Sequence, residues 1–381
     1  MTNTSVMITT GRFRKIREFN RRRNYLIKKM RYMTRLCIAK FLWDAKNKIE
    51  PDISTAKKVL LMRNEGAVGD VVVDTALVKC LYDSGFVVDF LLTTSNSSVV
   101  KFNPYIRNIF EAETVSSTHF LKKLTHNVPK PVINRLKKNK YDIIIDPSLF
   151  DIPVHRMLLL KQINAKCVIS FNKWDKINHY SKTFDFDCYK NHVSQTYPLI
   201  ADFLHLKKEH LEKYDLHISD GIKEDVSEYL AGLSAGKTVI INIFAGNADR
   251  CMSQEQLASL INHLQLRYAD INIVLLDHRK EIRLPLPDGV TVSPFKTLHH
   301  MMALIARADL VISPDTAIVH ISATWNKPLI AVYKDVQLNN TLWSPGYENA
   351  SQLIISGGNI HQSKEVVPRI LNEIEKRGLL N

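Results

Sequence analysis

The chain has 381 residues, 45% hydrophobic and 24% charged, the balance of a folded soluble protein long enough for two or three cores. Its net charge of +14 does not describe a basic body: residues 1–49 hold fourteen Lys and Arg against Glu18 and Asp44, a net of +12, which leaves +2 for the other 332 residues. Five widely spaced cysteines without a C-x-x-C pair argue against a disulfide framework or a structural zinc site and fit a reducing compartment. No apolar run reaches the roughly 18–20 residues that span a bilayer, and no compact apolar core of a secretory leader opens the chain. The expectation is a cytoplasmic protein.

In chain order, residues 1–10 are uncharged and read as unstructured. From 12 to 48 the chain is basic, with Leu26, Met30, Met33, Cys37 and Phe41 spaced 4, 3, 4 and 4 apart, one stripe of a helix, and Lys28, Arg31 and Arg35 opposite. Such an amphipathic helix, closed by Phe41-Leu42-Trp43, has two readings. It contacts an anionic membrane surface, where each near-surface cation contributes about 1 kcal/mol, or it docks on the body through its apolar stripe. RNA binding lacks the aromatic-rich β platform that would accompany it, so no nucleic-acid partner is expected.

Residues 51–215 then alternate strands, at 59–62, 87–92, 141–146 and 166–170, with helices that include 71–83 and 132–139. The strands are nearly continuous apolar runs, as a parallel sheet covered on both faces requires. A second alternation places strands at 238–243, 272–276, 291–293, 310–313 and 329–333, helices at 253–267, 298–307 and 317–325, and a closing helix at 364–377. The polar stretch 205–236 marks the boundary. The expected architecture is α/β: a basic helical extension over 1–50, then two doubly wound, Rossmann-like domains over 51–215 and 216–381.

Each half contains a strand feeding a turn and a helix start. Val59 to Arg63 runs into the turn from Asn64 to Asp70, and Ala308 to Ile312 runs into Ser313-Pro314-Asp315-Thr316. A helix start offers unpaired N–H groups and partial positive charge to an anion. Two of them, one per half, imply a ligand held between domains.

Arg63-Asn64-Glu65-Gly66-Ala67-Val68-Gly69-Asp70-Val71-Val72 resembles the N-terminal signature of the family 9 glycosyltransferases, the bacterial heptosyltransferases of lipopolysaccharide core assembly. Ser313-Pro314-Asp315-Thr316-Ala317-Ile318-Val319-His320-Ile321-Ser322-Ala323 resembles that family's C-terminal signature, and Asn326-Lys327-Pro328-Leu329-Ile330-Ala331-Val332-Tyr333 the strand after it. Ile243-Phe244-Ala245-Gly246 and Arg250, with the helix over 255–264, occupy the place of the donor-phosphate loop. The likeness runs in order over about residues 57–335, and the ordered pair of signatures is more specific than either alone.

The resemblance implies a GT-B fold, with the acceptor on the N-terminal side of a cleft and the nucleotide-sugar on the C-terminal side. It implies inverting transfer with neither metal nor other cofactor: a carboxylate takes the acceptor proton, while helix starts and cations stabilise the departing diphosphate. The implied donor is ADP-heptose. The implied acceptor is a lipid-linked oligosaccharide of the lipopolysaccharide or lipooligosaccharide core, met by a peripheral enzyme on the inner face of the inner membrane. A member using another nucleotide-sugar, or a nucleotide-binding scaffold without turnover, would carry the same signatures.

On this pattern Asp70 is the base, Gly66 and Gly69 let the turn approach a ligand, and Arg250, Asp315, Thr316, Ala317 and His320 serve the donor, with Glu281 on its ribose hydroxyls. Without the pattern, Asp70 caps the following helix, Asp315 and Thr316 form an N-cap, and His320 is a packed histidine; the sequence leaves both readings open. The chain departs from the family at Arg250 (usually Lys), Met252-Ser253 (an aromatic-proline pair), Ala317 (often Gly) and Asp277 (often Gly). Arg250 keeps the charge and adds a fork, whereas a Cβ at 317 narrows the backbone approach. Asp185-Phe186-Asp187 and His299-His300 have metal-site fragments without partners at ligand spacing and read as structural. Neither G-x-G-x-x-G nor G-x-x-x-x-G-K-[ST] occurs, so dinucleotide oxidoreduction and P-loop hydrolysis lack their loops.

Overall fold

The computed structural model describes residues 14–48, 50, 51, 53–112, 123–150, 154–173 and 177–381; the expectation for residues 1–10 lies outside them. A 30-residue helix, α1 (Arg14–Trp43), precedes two parallel six-stranded sheets. The first contains β1 (Lys58–Met62), β2 (Val87–Leu92), β3 (Ile106–Glu111), β4 (Ile143–Ile145), β5 (Cys167–Phe171) and β6 (Lys182–Phe184), in the order β3-β2-β1-β4-β5-β6. Helices α2 (Val68–Asp83), α3 (Lys130–Asn139) and α4 (Arg156–Ile163) lie between these strands, and α5 (Thr196–Leu204) and α6 (Asp220–Ala231) follow. The second sheet contains β7 (Lys237–Asn242), β8 (Ile271–Leu276), β9 (Val290–Val292), β10 (Leu310–Pro314), β11 (Leu329–Lys334) and β12 (Ala350–Ile355), in the order β12-β11-β10-β7-β8-β9. Its helices are α7 (Gln254–Arg267), α8 (Leu298–Arg307), α9 (Ala317–Thr324), α10 (Gln337–Leu342) and α11 (Val366–Arg377).

Each sheet winds one way from its first strand and then the other, so a crevice opens at the carboxyl ends of β1 and β4, and another at β7 and β10. The central strands pair apolar on apolar, Leu60 opposite Ile144 and Leu310 opposite Val239, all wholly buried. The sequence reading did not include β3, β6 and β12, and all three lie at sheet edges. An edge strand need not be apolar on both faces; β12 alternates half-buried and buried residues, so a search for continuous apolar runs passes it by. Helix α6 falls inside the polar stretch 205–236, and its Asp225 meets His300 of α8 at 3.1 Å.

Helix α2 is apolar all round because almost none of it faces water: it is packed between its own sheet and α9 of the other half. The largest buried cluster accordingly runs through both halves, from Val59 and Leu61 to Ile240 and Val311.

Helix α1 docks, though not through the expected stripe. Ala39 is wholly buried, and Tyr32, Leu36 and Trp43 pack on the cluster that holds Leu159 and Leu160 of α4. Its last carbonyls, which a helix end leaves unpaired, accept from Lys161 Nζ (Leu42 O, 3.0 Å) and His179 Nε2 (Trp43 O, 2.8 Å). Asp44 takes the backbone N–H groups of Asn178 and His179 at 3.0 and 3.1 Å. The expected stripe of Leu26, Met30, Met33, Cys37 and Phe41 faces solvent.

Candidate active site

β1 ends in a turn that α2 continues. Arg63, buried, grips Asp74 of α2 with Nε to Oδ2 at 2.6 Å and Nη2 to Oδ1 at 2.9 Å, and the Tyr197 hydroxyl donates to Oδ1 at 3.1 Å. Burial alone would lower the Arg63 pKa, but the charge and hydrogen bonds of Asp74 outweigh it and hold the proton more firmly than water does. Asn96, beyond β2 and wholly buried, clamps the turn by donating to the carbonyls of Arg63 (3.1 Å) and Gly66 (2.7 Å). A Cβ on Gly66 would stand 2.9 Å from Arg63 Cδ and 3.2 Å from Asp70 Oδ2, so glycine lets the Asp70 carboxylate lie across the turn. There Asp70 Oδ2 accepts from Ala67 N at 2.6 Å. Helix α2 begins at Val68 with Ala67 at its N-cap, so Asp70 is its third residue and not the cap of a helix from Val71; the bond it accepts occupies one of the carboxylate's several lone pairs and leaves proton acceptance possible.

Gly69 faces the first turn of α9: a Cβ there would stand 3.3 Å from His320 Cδ2 and 3.4 Å from Ala317 Cα. Two helix starts, one from each half, therefore meet next to Asp70. The absence of a side chain at Gly69 accommodates Ala317 where the family often has glycine.

The first crevice holds further charges. Asp146, wholly buried after β4, is held by Arg156 and by Tyr180, whose hydroxyl donates to Oδ2 at 2.7 Å. Burial works to raise its pKa, but Arg156, Lys173 and Tyr180 carry it down to about 2. Glu65 meets His155 Nε2 at 2.7 Å and Arg156 Nη2 at 3.7 Å; burial would raise its pKa, and those two neighbours hold it below the ordinary value. Among the described residues Asn64 Oδ1, Ser148 Oγ and Arg156 Nε are buried without a hydrogen-bond partner. Buried polar atoms normally find one, so this crevice carries hydrogen-bonding capacity that the described residues do not use.

At the second crevice Arg250 reaches from the loop after β7 to Asp315 after β10, Nη1 to Oδ2 at 2.9 Å. A Cβ on Gly246 would stand 3.2 Å from Arg250 Nη2, so glycine gives the guanidinium room over the loop. Beside it Lys334, the last residue of β11, donates to Asp249 Oδ2 at 2.6 Å. Burial pushes the Asp315 carboxyl up against the pull of Arg250, and Arg250 Nε is buried without a partner among the described residues. Thr316 caps α9, its Oγ1 accepting from Ile318 N at 3.3 Å, while Asn242 at the end of β7 donates to Ser313 Oγ at 3.0 Å and Phe244 O at 2.8 Å. A braced helix start flanked by two cations suits an anion.

The structure thus joins Gly66, Gly69, Asp70, Ala317 and His320 at the contact between halves, and Arg250, Asp315 and Thr316 at the second crevice. His320 is 4% exposed, with Tyr214, His192 and Trp343 around its ring at 6.0, 6.4 and 5.9 Å between centroids. Burial, and then the neighbouring His192, take its pKa down to about 3, and its Nδ1 has no partner among the described residues. Glu281 is exposed on the loop after β8, its backbone held by Asp277 and Gln254. Among the described residues no hydrogen bond or ion pair joins its carboxylate to the Arg250–Asp315 pair. The sequence reading missed Lys334, Asn96, His155, Arg156 and Asp146. Lys334 had a signal, as the first charged residue at the carboxyl end of an expected strand; Asn96 had none. Asp185 and Asp187 are exposed beyond β6, and His299-His300 begin α8. Among the described residues no three or more His, Cys, Asp or Glu side chains are grouped to hold a metal ion.

Two doubly wound domains, with a carboxylate turn on one and a cation-flanked helix start on the other, define a glycosyltransferase of the GT-B fold. A sequence model of glycosyltransferase family 9 (heptosyltransferase) matches residues 131–372, and the chain belongs to that family. It is similar to the Escherichia coli protein named "Putative lipopolysaccharide heptosyltransferase 4", at 25% identity over 336 residues, 86% of this chain and 90% of that one. Among solved structures it is similar to E. coli ADP-heptose lipopolysaccharide heptosyltransferase II, with a TM-score of 0.66 and 17% identity over 85% of this chain and 98% of that one. It is similar also to E. coli heptosyltransferase WaaC with ADP, with a TM-score of 0.61 and 16% identity over 85% of this chain and 100% of that one. The resemblance read from the two signatures and the fold it implied are borne out.

Proposed function

We propose that this protein moves heptose from ADP-heptose, with inversion and without a metal or other cofactor, to a lipid-linked oligosaccharide of the lipopolysaccharide or lipooligosaccharide core. The observation that carries the reading is the approach of Gly69 to α9, which sets Asp70 of one domain beside the donor-side helix start of the other. The acceptor oxygen attacks the anomeric carbon as the bond from that carbon to the diphosphate breaks. The hydroxyl proton passes to Asp70, and ADP leaves with the bonding pair. Arg250, the Ala317 N–H at the start of α9, and the Thr316 hydroxyl meet the charge that develops on the diphosphate, with Lys334 as a second cation. Asp315 holds Arg250 until the donor arrives, and Glu281 takes the ribose hydroxyls. His320, neutral and packed, positions α9 against α2 without touching the reacting atoms.

The acceptor lies over the first crevice, where Glu65, His155 and the unpartnered Asn64 and Ser148 offer hydrogen bonds to hydroxyl groups. The ADP named with one structural neighbour, and the ADP-heptose in the name of the other, support the donor. The protein works from the cytoplasm at the inner face of the inner membrane, with residues 12–48 against the anionic surface; no helix among the described residues is long and apolar enough to cross it.

The test is transfer from ADP-heptose to heptose-deficient core acceptor, followed by ADP release. Asp70→Asn should lower kcat by roughly 10²–10⁴ while leaving ADP-heptose binding unchanged in calorimetry. Near wild-type turnover would remove Asp70 from the chemistry. Turnover of a different nucleotide-sugar alone would overturn the donor and keep the base.

A further inference from the structure

Helix α1 carries two apolar faces, and the body covers one. At 100° per residue Tyr32, Leu36, Ala39 and Trp43 share a narrow arc against α4, whereas Ile16, Phe19, Leu26, Met30, Met33 and Phe41 share a second arc about 100° wide, centred about 140° away. Those six are 46% to 89% exposed, Phe41 the most. Cations line one margin of that second arc, Lys15, Arg22, Lys29 and Lys40; beyond its other edge Arg31 follows at about 60°, and Arg17 and Lys28 stand farther round, toward the inner face. Arg23 falls within the arc, where its long stem lets the charged head reach back to the margin.

We infer that α1 is an in-plane anchor whose inner face stays on the body while its outer face enters the head-group boundary of an anionic bilayer. The inference rests on the membrane contact proposed above and specifies which face makes it and how. Charge chooses the occupant. Over its 30 residues α1 holds eleven Lys and Arg and the single acid Glu18. A second copy of this chain would bring the same cations face to face, while anionic head groups complement them. Cations recur through the length of the helix, which keeps it in the plane of the surface instead of across it. Because the inner contacts are separate from the outer ones, engagement requires no rearrangement of α1, and the catalytic body is mounted in one orientation instead of hanging on a tether.

Flotation of the full chain with phosphatidylglycerol-containing vesicles and with pure phosphatidylcholine vesicles tests this. Wild type should float with the first and on the order of tenfold less with the second. Phe19→Ser, Met30→Ser and Phe41→Ser combined should weaken binding to the anionic vesicles on the order of tenfold or more, with an unchanged Tm because all three side chains face solvent. Arg22→Glu with Lys29→Glu should abolish the preference for anionic lipid. A serine variant that floats like wild type would overturn insertion of the outer face. A wild-type dimer in light scattering that the serine variant dissociates would assign the face to a second copy and overturn the anchor. Transfer to a water-soluble acceptor fragment separates the two readings: wild-type protein that floats as expected without transferring heptose upholds the anchor while the proposed reaction fails.

Discussion

The two crevices occupy equivalent places in two similar sheets, yet they hold their charges differently. In the first, Arg63–Asp74 and Arg156–Asp146 have side chains at most 10% exposed, and Tyr197 and Tyr180 tie the carboxylates further. In the second, the side chains of Arg250 and Asp315 are 25% and 13% exposed, and those of Lys334 and Asp249 18% and 37%. A buried pair is expensive to separate because each member is left uncompensated; a partly wetted pair exchanges partners readily. The first crevice is therefore a frame that keeps its shape whatever binds. The second keeps its cations on its own carboxylates, from which a diphosphate, with more charge and more acceptor oxygens, is able to draw them.

The largest effect that would break this contrast is on stability. Asp146→Ala leaves the buried Arg156 with Glu65, at 3.7 Å, in place of its close partner and should cost about 3–5 kcal/mol in denaturant unfolding, whereas Asp249→Ala, which removes the same charge from the second crevice, should stay within about 1 kcal/mol. Equal losses would mean that the two crevices are built alike. A smaller effect sharpens the other side. Arg250→Ala should weaken ADP binding roughly 10- to 100-fold, the worth of a charge-assisted hydrogen bond, while its unfolding midpoint stays near wild type. Lys334→Ala should shift affinity in the same direction by less. Unchanged affinity in both would place the diphosphate elsewhere.

Much of this was legible in the sequence, and the illegible parts share a cause. Central strands announce themselves as apolar runs because both faces and both edges are covered; β3 and β12 sit at edges, where the pattern relaxes. Gly66, Gly69 and Asp70 were legible because a turn that must pass close to something needs glycine. Partnerships across the fold were not: nothing in the local sequence says that Asn96 clamps a turn some thirty residues upstream, or that Arg156 folds back on Asp146. The stripe on α1 was read correctly as one face of a helix, but periodicity cannot say which of two apolar faces meets the body. The shorter set, Tyr32, Leu36, Ala39 and Trp43, is the one that contains a small residue, and Ala39 is wholly buried.

The smallest effect concerns acid and the contact between the halves. His192 donates Nε2–H to Ser344 O at 3.0 Å and accepts at Nδ1 from Ser194 Oγ at 2.7 Å, an arrangement that requires the neutral ring. His320, beneath Gly69, is neutral as well. Burial lowers both pKa values, that of His320 to about 3. An unfolded histidine takes its proton near pH 6.5. Below that pH the unfolded chain binds protons that the folded one refuses, so stability is complete above about pH 6.5 and falls on acidification, by at most about 1.4 kcal/mol per pH unit for each histidine. Asp146 acts in the same direction only at much lower pH, since its carboxylate stays ionised down to about 2. Between about pH 5 and 6.5 the histidines therefore act without Asp146. His320→Phe, a ring of similar shape with nothing to protonate, should reduce the slope of unfolding free energy against pH in that window. Amide exchange should show α9 loosening from α2 on acidification in wild type and less so in the variant, with β1 and β4 protected in both. A slope unchanged by His320→Phe would show that the contact between domains carries no buried neutral histidine, and would leave the two halves equally tolerant of acid.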